Sequence, residues 1–279
     1  MTIRELELQA VETRRSLLTM IYTAKSGHTG GSLSSADIMT ALYFEILRLD
    51  PKNPSWEGRD RFVLSKGHCV EGYLASLAER GFFPMEELST FCQYKSRLIG
   101  HPNNKIPGVE MNTGALGHGL SIATGMAIGL KKDKKDNRVF VLMGDGEQGE
   151  GSVWEAAMAA SHYHLDNLVC IIDRNHLQIS GTTEQVMNLE PLHERWRAFG
   201  WTVTEIDGNN MQEVVAVLKQ APFAQGKPSL ILAHTIKGKG VREMENIAKW
   251  HHGIPDDALF ASAMQQLDVR KKELTDAER

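Results

Sequence analysis

The fold is decided by the stretch RVFVLMGDGEQGEGSVWEAAMAASHYHLDNLVCIIDRNHLQISG, which spans residues 138–181. It contains two short apolar runs, at residues 138–143 and 168–172, separated by a glycine-rich turn and the helical pattern of residues 154–163. Short apolar runs that alternate with helices are typical of a buried parallel sheet built from right-handed βαβ units.

The same alternation continues on both sides of this stretch. It predicts one α/β domain over residues 1–279, with a doubly wound, mainly parallel sheet flanked by helices, a helical N-terminal segment and a C-terminal helical tail. The further predicted strands are 203–206 and 230–233, and the further predicted helices are 3–24, 34–49, 69–80, 84–92, 119–130, 211–220 and the tail from 256.

Composition excludes several classes of protein. The chain has 279 residues, 42% of them hydrophobic, and a formal net charge of −4, so it has no basic field to attract nucleic acid or an anionic membrane. No apolar run approaches the roughly 18 residues of a membrane span. Cys69, Cys92 and Cys170 stand alone without disulfide or zinc spacing, which predicts a reducing, cytoplasmic setting.

Two oxygen-bearing side chains follow the two apolar runs. Asp145 comes just after the first run, and Asn175 comes just after the second. Since neighbouring parallel strands lie about 4.8 Å apart, both side chains can reach one hard cation at the sheet edge where ligands bind. The helix after the glycine turn points its N-terminal N–H groups at the same edge, where they suit a phosphate. A tight turn and an ordinary loop residue are the structural alternative, which the βαβ spacing disfavours.

These residues carry a family resemblance. Gly144-Asp145-Gly146 followed by Asn175 resembles the thiamine diphosphate motif, and the stretches around Glu150 and at residues 178–181 resemble transketolases rather than the α chains of 2-oxo acid dehydrogenases. The resemblance implies thiamine diphosphate and Mg2+, with Ca2+ or Mn2+ as alternatives. Arg174 departs from the family pattern, and strand alternation predicts that it points away from the metal. The implied metal ligands are Asp145, Asn175 and the main-chain oxygen of Leu177, and the implied cofactor contacts of this motif are Gly144, Asp145, Gly146, Glu147 and Asn175.

Histidines next to glycines are the second signal. Four of the eleven histidines directly follow a glycine, well above chance, and glycine lets the backbone approach a ligand closely. A solvated loop residue is the alternative for any one of them. Zinc is a competing explanation, but the chain has neither an HExxH motif nor cysteines at zinc spacing.

The resemblance to transketolases extends through these histidine segments. It implies that His68 and His252 contact the diphosphate, and that His28 and His101, with His252, hold the two-carbon ketol unit. Gly114 and Leu116 lie in a loop that would contact the cofactor, and residues 237–240 resemble a lysine-glycine loop near the active site. Glu150 would join a proton relay between subunits; the alternative is a carboxylate stabilised by a helix dipole. The matching segments are residues 26–28, 59–68, 100–102, 113–117 and 251–253.

The resemblance covers only the first half of a full transketolase. It implies a separate pyrimidine-binding subunit, two copies of each chain in a heterotetramer, and ketol transfer from a ketose to an aldose, as sugars or sugar phosphates. The alternatives are a half of another thiamine enzyme, of the deoxyxylulose-phosphate synthase or 2-oxo acid dehydrogenase E1 type, and a non-catalytic regulatory protein that keeps the cofactor site. A nicotinamide dehydrogenase is disfavoured because no GxGxxG follows an early strand.

Overall fold

A parallel sheet lies at the centre of the structure, a computed structural model that describes residues 1–276. Its strands are β1 (Arg61–Leu64), β2 (Val139–Gly144), β3 (Leu168–Arg174), β6 (Thr202–Asp207) and β7 (Ser229–His234), and a separate antiparallel hairpin is formed by β4 (Leu177–Gln178) and β5 (Gly181–Thr182). The order across the sheet is β1-β2-β3-β7-β6, with every neighbouring pair parallel. The predicted mainly parallel sheet is confirmed.

Helices cover both faces of this sheet. Side chains of β2 alternate between two apolar layers. Phe140 and Leu142 join the cluster formed with the helices of residues 3–24, 36–41, 70–79 and 211–220, whereas Val141 and Met143 join the cluster formed with the helices of residues 118–132, 151–162 and 192–198. None of the helices in residues 1–276 combines the length and apolar character of a membrane span. The helices are α1 (Ile3–Ala24), α2 (Thr29–Ser34), α3 (Ala36–Ala41), α4 (Val70–Glu79), α5 (His118–Lys132), α6 (Gly151–His162), α7 (Thr183–Val186), α8 (Leu192–Ala198), α9 (Met211–Gln220) and α10 (Asp257–Asp276).

The single helix predicted over residues 34–49 is wrong. The helical conformation already begins in α2 and is interrupted at Ser35 (φ −94°, ψ 5°). It continues as α3 and ends in a π-helical turn at Leu42–Ile46. The hydroxyl of Ser35 does not cap α3; it donates back to the carbonyl of Gly31 at 2.9 Å, and the hydroxyl of Ser34 donates to Asp173 at 2.7 Å. Serines that bond to the backbone of the preceding turn bend helices, which fits the break at Ser35.

Three short elements differ from the sequence expectation. Residues 84–92 contain a 3-10 helix at Met85–Thr90 rather than an α-helix. Strand β1 has only four residues, which is too short for a periodic signal, and the sequence analysis identifies this stretch only as part of the histidine segment 59–68. The β4–β5 hairpin is also absent from the sequence prediction, because each of its strands has two residues.

Candidate functional site

The candidate metal ligands lie at the carboxyl edge of the sheet. Asp145 directly follows β2 and Asn175 directly follows β3, and in these parallel neighbours Gly144 is paired with Asp173. The prediction that both side chains lie at adjacent strand ends is confirmed. This is the edge at which open α/β sheets bind ligands.

Three hydrogen bonds hold the carboxylate of Asp145. Its Oδ1 accepts from the N–H of Gly146 at 2.7 Å, and its Oδ2 accepts from the N–H of His176 at 2.6 Å and from Arg174 Nη1 at 3.2 Å. Burial and the neighbouring charge of Asp173 raise the pKa of Asp145 to about 6, against the lowering effect of Arg174. Oδ1 has a single protein donor, so it keeps a lone pair for a cation.

Arg174 does not point away from the metal site, contrary to the sequence expectation. Its guanidinium is buried: Nη1 donates to Asp145 and, at 2.7 Å, to the hydroxyl of Thr183, and Nη2 donates to Glu184 and Glu190 at 2.6 and 2.8 Å. Side-chain alternation applies only within a strand. Asp145 has left β2 and has helical dihedral angles (φ −68°, ψ −45°), so its carboxylate turns towards the face that Arg174 occupies.

The other two candidate metal ligands are adjacent to Asp145. The buried Asn175 donates from Nδ2 to Asp173 at 3.1 Å, and its Oδ1 accepts from the N–H of Leu177 at 3.2 Å. The carbonyl of Leu177 accepts from Lys237 Nζ at 3.4 Å. A carboxylate, an amide oxygen and a carbonyl suit Mg2+ or Ca2+. Within residues 1–276, no group of three or more His, Cys, Asp or Glu side chains is arranged to hold a metal.

A buried ion pair supports this edge, and the sequence analysis did not identify it. Lys66 follows β1 and contacts Asp173 of β3, and its ammonium also donates to the carbonyl of Gly31 at 2.9 Å. Asp173 accepts further bonds from the hydroxyls of Ser34 and Thr235. Burial disfavours the charged form of each partner, but the attraction between the two charges is stronger. The pKa of Lys66 is therefore raised and that of Asp173 is lowered. The signal available in the sequence was a lysine two residues after a short apolar run.

Four histidines from distant segments form one cluster. The ring of His28 lies 5.0 Å from that of His68 and 4.8 Å from that of His252, measured between ring centroids. His251 stacks on His68 at 5.2 Å. The structure thus brings together the predicted His28, His68 and His252, and it adds His251, to which the sequence analysis assigns no role.

Local contacts explain how His28 is positioned. It precedes α2, and its N–H donates to Glu71 Oε1 at 2.9 Å, while Ser32 of α2 donates to the other oxygen at 2.7 Å. Burial raises the pKa of Glu71, and these donors oppose that rise. A buried acid on α4 therefore holds the turn that presents the imidazole.

The imidazoles of His28, His68 and His251 are neutral at neutral pH. Burial is the main cause that lowers the pKa of His28 to about 4, of His68 to about 2 and of His251 to about 3. The charge of Lys66 lowers the pKa of His68 further, and the charge of Lys237 does the same for His251. A neutral imidazole donates through one nitrogen and accepts through the other.

His101 lies in an irregular loop that contacts the segment of Gly114. Gly114 has a φ of +144°, and a Cβ at this position would lie 2.5 Å from the ring of His101, so the two segments are in direct contact. The hydroxyl of Thr113 donates to the carbonyl of Leu64 at 2.7 Å, which ties the loop to β1. Leu116 follows in the same loop.

Glu147 lies beneath the glycine turn. Its carboxylate is buried and accepts from the Ser65 hydroxyl, from the N–H of Gly117 at 2.8 Å and from the N–H of Gly144 at 3.1 Å. Burial raises its pKa, whereas these donors lower it. Both oxygens of Glu147 thus accept hydrogen bonds from the protein itself. These bonds link the end of β2 with the residue after β1 and with the 113–117 loop.

Glu150 occupies the position before α6. Its side chain is exposed and makes no capping hydrogen bond to the helix. A Cβ at Gly117 would lie 2.6 Å from the Cβ of Glu150, so the acid is packed against the 113–117 loop. The carboxylate is thus accessible to another chain at the edge of the candidate site.

The residues at this edge fit a diphosphate with its divalent cation. Gln178 Nε2 is buried without a partner in the described part of the chain, and the Gln178 side chain lies where a Cβ of Gly146 would touch it, at 3.2 Å. The ammonium groups of Lys66 and Lys237 and the neutral imidazoles supply further donors. Buried donors and cations of this kind bind anionic oxygens.

Comparisons with known proteins agree with this geometry. The model of the family "Transketolase, thiamine diphosphate binding domain" matches residues 6–272. One of the subunits of the apulose-4-phosphate transketolase of Phocaeicola vulgatus is 51% identical over 98% of this chain and 98% of that protein. The 6-deoxy-6-sulfo-D-fructose transketolase subunit SqwG of a Clostridium species is 43% identical over 95% of this chain and 96% of that protein.

Solved structures show the same likeness. The transketolase of Campylobacter jejuni superposes with a TM-score of 0.86 at 32% identity, over 99% of this chain. The transketolase of Leishmania mexicana superposes with a TM-score of 0.84 at 28% identity. This chain spans 48% of the first of these proteins and 46% of the second, that is, about half their length.

Proposed function

This chain belongs to the transketolase family as a thiamine diphosphate-binding domain, and we propose that it acts as the diphosphate-binding subunit of a two-chain transketolase. The reaction is the transfer of a two-carbon ketol unit from a ketose to an aldose. The observation that carries the proposal is the sheet edge itself, where Lys237 joins the candidate metal ligands to the histidine cluster. Its ammonium lies 3.4 Å from the carbonyl of Leu177, whose N–H donates to Asn175, and 3.3 Å from Nδ1 of His251. The relatives that are named as subunits match the chain over almost their whole length.

The cofactor is held at this edge in the proposal. Asp145, Asn175 and the carbonyl of Leu177 would bind Mg2+, and His68 and His252 would contact the diphosphate. The backbone of Gly144 and Gly146 and the 113–117 loop with Gly114 and Leu116 would complete the contacts, with Glu147 positioning the turn. When bound, thiamine diphosphate supplies the carbanion and the electron sink of the reaction.

The histidines act on the sugar in the proposal. His28 and His101, with His252, would hold the hydroxyl and carbonyl oxygens of the ketol unit. The low pKa of His28 keeps this imidazole neutral, so one nitrogen can accept a hydroxyl proton while the other donates a hydrogen bond. A charged imidazole would have lost that accepting nitrogen.

The proposed class of sugar is taken from the names of the relatives. Those names give apulose 4-phosphate and 6-deoxy-6-sulfo-D-fructose as the sugars on which these proteins act. We propose a ketose or ketose phosphate as donor and an aldose or aldose phosphate as acceptor. The free thiols of Cys69, Cys92 and Cys170 fit a cytoplasmic, reducing site of action.

A second chain completes the active site in the proposal. Relatives named as transketolase subunits imply a partner subunit, which we propose to bind the pyrimidine in a heterotetramer of two copies of each chain. The candidate contact is the outer face of α5 and α6. There Gly125 and Gly129 have open space beside them, Met158 is 59% exposed, and Glu150 is accessible for an inter-subunit proton relay.

Ketol transfer should appear only when this chain is mixed with its pyrimidine-binding partner. The assay supplies thiamine diphosphate and Mg2+ and offers a panel of ketose phosphates, including apulose 4-phosphate, with an aldose phosphate acceptor. The reason is that the residues which activate the cofactor belong, in this proposal, to the partner. Each chain alone and the mixture without Mg2+ are the controls. Full turnover by this chain alone would refute the two-chain proposal.

Replacing His101 with alanine should lower kcat of the assembled enzyme by about 100-fold or more and leave thiamine diphosphate affinity within about threefold. A positioned group that handles protons contributes roughly 10²–10⁴-fold to rate, and His101 contacts the loop at Gly114 rather than the metal ligands. His162→Ala, on the exposed end of α6, is the matched control. Unchanged kcat in His101→Ala would remove this residue from the proposed site.

A further inference from the structure

Arg174 connects the candidate metal site to the chain segment beyond it. One end of the guanidinium contacts Asp145 at 3.2 Å, and the other end contacts Glu184 and Glu190 at 2.6 and 2.8 Å. The Arg174 side chain is only 2% exposed, whereas those of Glu184 and Glu190 are 42% and 50% exposed. The guanidinium therefore links a buried acid with two surface acids.

The two surface acids are themselves held in place. Glu190 Oε2 accepts from the N–H of Leu192 at 2.9 Å, at the start of α8. Glu184 lies in the first turn of α7, and its Oε1 also accepts from the hydroxyl of Thr183 at 2.8 Å. The outer half of the guanidinium is thus fixed by two helix starts, and this leaves Arg174 little freedom to leave Asp145.

The charges at this edge explain why the contact matters. Asp145 and Asp173 are two buried acids at adjacent strand ends, and Lys66 already pairs with Asp173. Arg174 is the cation that pairs with Asp145. It contacts Oδ2 and leaves Oδ1 with a single donor, the N–H of Gly146. A group behind a metal ligand that fixes its orientation in this way typically changes metal affinity by about 10–100-fold when it is removed.

We propose that Arg174 is a positioning residue for Mg2+: anchored by Glu184 and Glu190, it fixes the carboxylate of Asp145 so that Oδ1 faces the cation. This inference rests on the proposed function, because the metal belongs to the cofactor site. It assigns a role to the position at which the chain departs from the family pattern. It also makes the 183–190 segment part of the machinery that sets metal affinity.

The test measures the Mg2+ concentration that gives half-maximal thiamine diphosphate binding, by calorimetry on the assembled complex. Arg174→Gln should raise this concentration about 10-fold or more. It should also increase the rate of amide hydrogen exchange in residues 183–192, measured on the metal-free chain. Arg270→Gln is the matched control because Arg270 also pairs with two glutamates, Glu7 and Glu273, far along α10. It should leave both readouts unchanged.

A second variant keeps the arginine and releases its anchor. The double substitution Glu184→Gln/Glu190→Gln should shift the Mg2+ requirement in the same direction as Arg174→Gln, but less. If Arg174→Gln does not fold, the Mg2+ requirement of this double variant tests the proposal. An unchanged or lower Mg2+ requirement in the soluble variants would overturn the proposal, since a lower value would make Arg174 only a competing cation. If the wild-type complex fails to bind thiamine diphosphate, the cofactor site is refuted instead.

Discussion

Replacing Asp145 with alanine should abolish Mg2+-dependent binding of thiamine diphosphate without unfolding the chain. Asp145 is the only charged member of the three candidate metal ligands, and its carboxylate is buried at the strand end. Removing outer-shell partners of a metal already costs about 10–100-fold in affinity, so loss of a ligand should cost about 100-fold or more. Calorimetric titration with thiamine diphosphate at saturating Mg2+ measures the effect.

The chain should survive this substitution because the buried cation keeps other partners. Without Asp145, Arg174 still pairs with Glu184 and Glu190. The urea midpoint of the metal-free variant should therefore stay close to that of the wild type. Asp268→Ala, which removes an exposed aspartate paired with Arg15, is the matched control and should bind the cofactor normally. Normal cofactor binding by Asp145→Ala would place the metal somewhere else.

Replacing Lys66 with methionine should lower the free energy of unfolding of the metal-free chain by about 3–5 kcal/mol. The substitution keeps the apolar stem but leaves the carboxylate of Asp173, whose side chain is 0% exposed, without its ion-pair partner. Breaking a buried pair from one side is more costly than removing both charges. Urea unfolding followed by circular dichroism measures the loss.

The double variant Lys66→Met/Asp173→Asn separates pairing from packing. Ser34 and Thr235 donate to different oxygens of Asp173, so an asparagine keeps an acceptor for one of them and carries no unpaired charge. The double variant should therefore be more stable than Lys66→Met alone. Lys135→Met, which removes an exposed pair with Glu57, should lower the stability much less than Lys66→Met, because water screens exposed ion pairs. If Lys66→Met costs no more than Lys135→Met, the buried pair does not stabilise the sheet edge.

Much of the fold could be predicted because its signals are local. Apolar runs of strand length, glycine turns and helical spacing placed β2, β3, β6 and β7 close to their observed bounds. The end of a strand is also local information. For that reason Asp145 and Asn175 could be assigned to one edge before any contact was known. The family resemblance added the histidines, which no periodicity could have connected.

Elements without a local signal could not be predicted. The serines before α3 matched a capping pattern, yet Ser35 donates back to the carbonyl of Gly31 and Ser34 donates to Asp173, which is 139 positions away. Strand β1 is visible only through its pairing with β2, from Arg61 opposite Val139 to Leu64 opposite Leu142.

Residues that are neighbours along the chain were enough to predict the class of fold, the strand-end positions of Asp145 and Asn175, and the family. Tertiary structure alone decided which charges meet. Lys66 pairs with Asp173 across 107 positions, and the carboxylate of Asp145 turns towards Arg174 although alternation predicted that Arg174 points away. A buried charge must find a partner in space, and Asp145 can do so because it lies beyond the end of β2, where strand alternation no longer sets its direction.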